Sequence, residues 1–212
     1  MKPFSFPIHG AIDGYSRKIL WLELSRSNNK LQCVKGKAGC PLLVRTDCGT
    51  ENGSMAAMQC YFRRDGQHEL SGMKAHRYGS SPSNQRIECW WSFYRQGRAS
   101  WWIDLFKDRA NTVLLDLENT LHTECLWFCF HGLLQDLDEV RLYWNTHKIR
   151  PSRYGTVPGL TDVLYYLPEN SGAQQCKVPL SREKIHEMEI LVEDDDDEDD
   201  DDYKEELRTY QD

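Results

Sequence analysis

The sequence predicts an α/β domain followed by an acidic tail. Two observations carry the domain and a third carries the tail. Short runs of strand formers are bounded by turn residues: Phe6 to Ile12 and Lys18 to Leu24 flank an Asp13-Gly14-Tyr15-Ser16 turn. Further on, apolar residues recur at helical spacing, as in Ile87, Trp90, Trp91 and Tyr94. Near the end, Glu193 to Asp202 are ten consecutive acids, a block whose charges repel and which is expected to be a disordered tail.

Length and composition set the frame. A chain of 212 residues fits one domain plus an appendage, and 40% apolar residues with seven Trp supply a core. The net charge is −7, but without the ten tail acids the remainder is +3. A mildly basic folded part is compatible with nucleic acid without being diagnostic of it. Eight Cys show no C-x-x-C pair and no His pair at zinc spacing, so the expectation is free thiols, a reducing compartment and no zinc. No signal-peptide pattern opens the chain and no run is apolar enough to span a bilayer. The chain is therefore read as soluble and intracellular.

In order along the chain, Lys18 to Leu24 reads as a strand buried on both faces. Ser25 to Pro41 reads as a connector in which only Lys30 to Lys35 has helical character. Leu42, Leu43 and Val44 form a short strand that delivers Asp47 to its C-terminal tip, where ligands sit in open α/β sheets. Ser54 to Arg64 reads as a helix with Met55, Met58 and Phe62 on its core face. Met73 to Tyr78 reads as a last strand, followed by a Gly-Ser-Ser-Pro-Ser loop. Ser83 is the expected N-cap of the Glu88 helix. Gly97 is expected to break that helix, with Trp101, Trp102, Leu105 and Phe106 starting another. The Trp pair reads as core rather than as a platform for stacking bases.

His122 to Trp144 is the longest helical signal. Its seam is Leu126, Phe130, Leu133, Leu137, Val140 and Trp144, and Cys125 and Cys129 read as core thiols. Trp144 to Leu164 reads as irregular chain carrying His147, Arg150 and Arg153. The expected division is a core over 1–165, a linker over 166–190 with one short helix (Ser181 to Met188), and the tail over 191–212.

Asp47 and Glu88 stand out chemically. A carboxylate on a strand tip and another on a packed helix suit a hard divalent cation, which takes oxygen ligands. With their surroundings they carry a resemblance. A-I-D-G-Y-S-R (Ala11 to Arg17), R-T-D-C-G-T-E-N (Arg45 to Asn52), S-N-Q-R-I-E (Ser83 to Glu88) and W-N-T-H-K-I-R-P-S-R (Trp144 to Arg153) occur in that order. The chain resembles, over about Lys2 to Leu164, the integrase core of retroviral integrases and related transposases, especially integrase-core proteins of animal genomes.

The resemblance implies a ribonuclease-H-like fold, a mixed sheet flanked by helices. It also implies a two-metal Asp-Asp-Glu site using Mg2+ or Mn2+ for DNA integration and strand transfer. Asp47 matches the second acid and Glu88 the third. The family's first Asp sits on the strand before the I-D-G-Y-S-R hairpin, and the chain opens just after the matching point. The expectation is a truncated or alternatively spliced core without that strand, with impaired catalysis. Asp13 remains a candidate first acid, although its Asp-Gly signal reads as a hairpin turn.

Basic residues around the two acids include Arg45, Arg63, Arg64, Lys74, His76, Arg77, Arg86, Arg95 and Arg98. Arg45, Lys74, Arg77, Arg86, Arg95 and Arg98 are the candidates for DNA phosphates. The leading expectation is a transposon-derived protein with residual nucleic-acid binding, placed in the nucleus by family analogy. The alternatives are an active nuclease using Asp13, or a non-enzymatic protein whose acidic tail captures basic proteins.

Overall fold

A computed structural model describes residues 7–24, 39–49, 52–80, 84–112, 116, 119, 121–122, 131–152, 156–188 and 190. The chain forms two compact units. One comprises Met1–Asn28 and Ser81–Gln175; the other comprises Asn29–Ser80 and Cys176–Asp212. Helices and short strands are mixed in both, as expected for an α/β chain.

The first unit starts with a hairpin of β1 (Ile8–Ile12) and β2 (Ile19–Leu24), antiparallel with a register shift between Ala11 and Ile12. The turn is closed by Asp13 N–H donating to Lys18 O at 2.8 Å. Its left-handed residue is Arg17, at φ 63°, rather than the glycine that the Asp-Gly signal suggests. The expectation that β2 is buried on both faces is corrected. Only Ile19 and Leu24 are fully buried, and the residues between them are half-buried.

Helix α2 spans Gln85–Tyr94 (α1 belongs to the second unit and follows below). Its N-cap is Asn84 rather than Ser83, which lies outside the described residues. Gly97 does not break the helix. A π-helical turn, Arg95–Ala99, carries it into α3, Ser100–Asn111. The sequence explains why. Ile87, Trp90, Trp91 and Tyr94 line the core from α2, and Ala99 at the end of the π-helical turn with Trp102, Ile103 and Phe106 of α3 lines it beyond. Each set steps i, i+3, i+4, i+7, but Ala99 follows Tyr94 by five positions. An α-helix would present Arg98 to the core, and the wider turn absorbs the extra residue. Deleting Gly97, whose surroundings are open, should therefore restore a continuous α-helix with both faces in phase. The melting temperature should not fall. Deleting Gln135 instead would turn Leu137 and Val140 by about 100° and should abolish the cooperative melt.

Helix α4, His131–Thr146, buries Leu133, Leu137 and Val140 against the same core. Leu126, Phe130, Cys125 and Cys129, expected on the preceding turns, lie outside the described residues. The chain beyond is less irregular than expected. β6 (Lys148–Ile149) and β7 (Gly159–Leu160) pair antiparallel, and α5 spans Thr161–Tyr166. Residues 166–175, read as the start of a linker, return to the hairpin. Ser171 Oγ lies 2.7 Å from the Tyr15 hydroxyl.

In the second unit, β3 (Gly39–Pro41) pairs antiparallel with β8 (Lys177–Pro179). β4 (Val44–Thr46) pairs in parallel with β5 (His76–Tyr78). Helix α1, Gly53–Phe62, buries Met58 and Phe62 with Cys40 and Met188, while Met55 is half-buried. Three expectations change here. The connector Ser25 to Pro41 ends in a strand, its residues 25–38 lying outside the described ones. The last strand keeps only His76–Tyr78, because Gly72–Ala75 is a 3₁₀ turn that leaves Met73 83% exposed. The 177–188 segment supplies β8, a helical run over 182–188 and a core methionine. Strands of three residues are too short to show a period of two, which is why both were read as connections.

Candidate nucleic-acid interface

Two arginines stand opposite each other in the second unit. The parallel register pairs Val44 with His76 and Arg45 with Arg77. Alternation along a strand then separates the faces. On the inner face Thr46 Oγ1 and His76 Nε2 meet at 3.1 Å, both residues buried. Burial pushes the His76 imidazole below the ordinary histidine range. On the outer face Arg45 and Arg77 are exposed. Gly79 continues the ladder, its N–H donating to Thr46 O at 2.8 Å. A Cβ there would lie 2.7 Å from Arg45 Nε, so the missing side chain lets the guanidinium cross the strand end. Among the described residues no carboxylate pairs with either arginine. Like charges directly opposed on a sheet are destabilising, and an anion bound between them would relieve that repulsion. Lys74 is exposed in the preceding 3₁₀ turn.

Asp47 follows β4 and is exposed at the strand tip. Its Oδ1 accepts from Asn52 Nδ2 at 2.5 Å, and Asn52 is the N-cap residue of α1. Arg63 and His76 do not belong to the positive cluster. Arg63 is buried and its Nη2 donates to Leu70 O at 3.2 Å, closing the loop after α1. Arg64 lies over the Tyr61 ring at 4.2 Å and 3.5 Å from Asp65.

In the first unit Glu88 is exposed on the first turn of α2. Arg86 lies over the hairpin turn, its Nη1 3.3 Å from where a Gly14 Cβ would be. Arg17 is its neighbour. Burial and then the Arg86 charge push the Arg17 guanidinium down from its ordinary value. Arg17 sits inside the I-D-G-Y-S-R motif, and a left-handed arginine has no sequence signature that would mark it. Arg95 is exposed on the π-helical turn.

Arg98 is a weaker candidate than expected. It donates to Asp136 Oδ1 at 2.8 Å and lies 4.0 Å from Glu139. Trp102 Nε1 donates to the other Asp136 oxygen at 3.3 Å. The arginine thus ties the helices together and its charge is matched locally. His147 is half-buried against the Trp144 ring at 4.4 Å. Arg150 is exposed, and Arg153 lies outside the described residues.

Asp13 is engaged in its own turn. Its Oδ2 accepts from Tyr15 N–H at 3.1 Å, and from Ser16 N–H and Ser16 Oγ at 2.7 Å each. Asp47 belongs to the second unit and Glu88 to the first. Each offers hard carboxylate oxygens. Among the described residues, however, no three His, Cys, Asp or Glu side chains converge as a metal site. Cys40, Cys48, Cys60, Cys89 and Cys176 form no disulfide among the described residues. No helix among the described residues is long and apolar enough to cross a membrane.

The model of the integrase core domain matches residues 2–161. The chain belongs to the integrase core family. No curated protein and no solved structure matches it. Membership brings a ribonuclease-H-like fold and descent from transposon or retroviral integrases, which bind DNA and typically use divalent metals. All four quoted motifs fall inside the matched range. In this integrase core protein the W-N-T-H motif is structural. Trp144 Nε1 donates to Arg17 O at 2.8 Å. Asn145 accepts from Ile19 N–H at 2.8 Å and donates to Ile19 O at 2.9 Å.

Proposed function

We propose that this integrase core protein binds duplex DNA through the Arg45–Arg77 face and does not itself carry out strand transfer. The observation that supports binding is the exposed like-charge pair without a carboxylate among the described residues. Two guanidiniums at one strand spacing suit successive phosphate oxygens and carry no base preference. Arg86 and Arg95, exposed in the first unit, are secondary candidates.

The reading without strand transfer is supported by Asp13, whose Oδ2 accepts from three donors of its own turn, which favours a turn-forming role over that of a first metal ligand. Asp47 and Glu88 match the second and third acids of the family's Asp-Asp-Glu set. Two-metal centres activate a hydroxyl nucleophile and stabilise the leaving oxygen, which takes more ligands than these two acids.

Binding of a labelled duplex across a salt series tests the reading. Each phosphate contact contributes about 0.9 to the slope of log affinity against log salt. The double variant Arg45→Ala/Arg77→Ala should lower that slope by about 1–2 and weaken binding of all sequences alike. An unchanged slope would contradict the assignment.

A further inference from the structure

We propose that the Arg45–Arg77 face is the docking site of the chain's own acid run, Glu193 to Asp202, which competes there with external polyanions. The inference rests on the proposed DNA-binding reading for its consequence, and on the second unit for its geometry.

Lys74 is exposed in the turn before β5 and adds to the positive face, whereas three other cations of this unit are engaged elsewhere. Lys184 donates to Asp65 at 2.5 Å and Arg64 faces the same carboxylate. Arg63 is buried under its loop. Arg45 and Arg77 have no carboxylate among the described residues. Guanidinium groups take carboxylates through two parallel hydrogen bonds, and ten consecutive acids offer many such pairings.

The tether suits the site. The 182–188 helical run is fixed to the second unit by Met188, packed with Met58 and Phe62, and by Glu187, which accepts from the Tyr61 hydroxyl. From Ile190 to Asp202 an extended chain reaches about 40 Å. A unit of this size has a radius of gyration of roughly 11 Å, so any of its faces is within reach. A short tether gives an effective concentration on the order of millimolar. An acid segment that binds the face at about 0.1 mM would then weaken an external polyanion about tenfold.

The test uses the full-length chain with every acid from Glu193 to Asp202 replaced by its amide, which keeps length and removes charge. Two probes are titrated by fluorescence anisotropy: a labelled duplex, and a labelled synthetic peptide of residues 193–202 added in trans. The amide chain should bind the duplex about tenfold more tightly than wild type. Arg45→Ala/Arg77→Ala in the amide background should abolish that gain and peptide binding. Arg45→Lys/Arg77→Lys should retain part of both.

A gain that survives the alanine pair would overturn the docking site, because the tail would then act by general repulsion. Equal duplex affinity in wild-type and amide chains would also overturn it. If neither chain binds duplex, the DNA reading fails and the peptide decides alone. Capture lost in the alanine pair upholds the docking site, and no capture refutes it.

Discussion

Asn145→Ala should lower the stability of the first unit by about 2–4 kcal/mol, read as a lower midpoint in urea monitored by near-ultraviolet dichroism. Asn145 is 3% exposed and Ile19 is fully buried. The amide accepts from Ile19 N–H and donates to Ile19 O. It serves the open side of β2 as a neighbouring strand would. Truncation leaves both backbone groups buried without a partner, and each such group costs about 1–3 kcal/mol. Asn145→Asp should be no better, since it keeps the acceptor but sets a carboxylate against the Ile19 carbonyl. A loss under about 1 kcal/mol would show that water replaces the amide.

Trp90→Ala should cost about 3–5 kcal/mol, enough to remove most of a domain's margin. Trp90 is 0% exposed. It stacks on Tyr94 at 5.5 Å between ring centres and meets Trp91 and Trp144 edge-on at 4.8 and 6.5 Å. Trp90→Phe should lose distinctly less. The indole N–H finds no acceptor among the described residues, so phenylalanine removes an unsatisfied donor along with some volume. A melt of Trp90→Ala within about 1 kcal/mol of wild type would place the core elsewhere.

Much of this arrangement was legible in the sequence. The hairpin, α1, α2 and the buried residues of α4 follow from period and turn chemistry. The strand that carries Asp47 was legible as well, although it begins at Val44. Continuity through Gly97 runs against the local signal, because a helix-breaking residue outweighs the phase of the flanking stripes when each is taken alone. Counting five residues from Tyr94 to Ala99 reveals the wider turn. β3 and β8 carry too few residues to display a period. Among the candidate site residues, exposure of Asp47, Glu88, Arg45 and Arg77 agrees with their chemistry. The local neutralisation of Arg98 depends on Asp136 and Glu139, 38 and more positions away, and no local pattern announces it. The buried roles of Arg63 and His76 likewise come from tertiary packing.

The proposed function is DNA binding without cleavage. The most direct measurement is incubation of a labelled duplex with the full chain in Mg2+ and in Mn2+. No nicking or strand transfer above the level of Glu88→Gln is expected. Cleavage that Glu88→Gln and Asp47→Asn each abolish would contradict it; if Asp13→Asn abolished it too, the turn carboxylate would be the missing ligand.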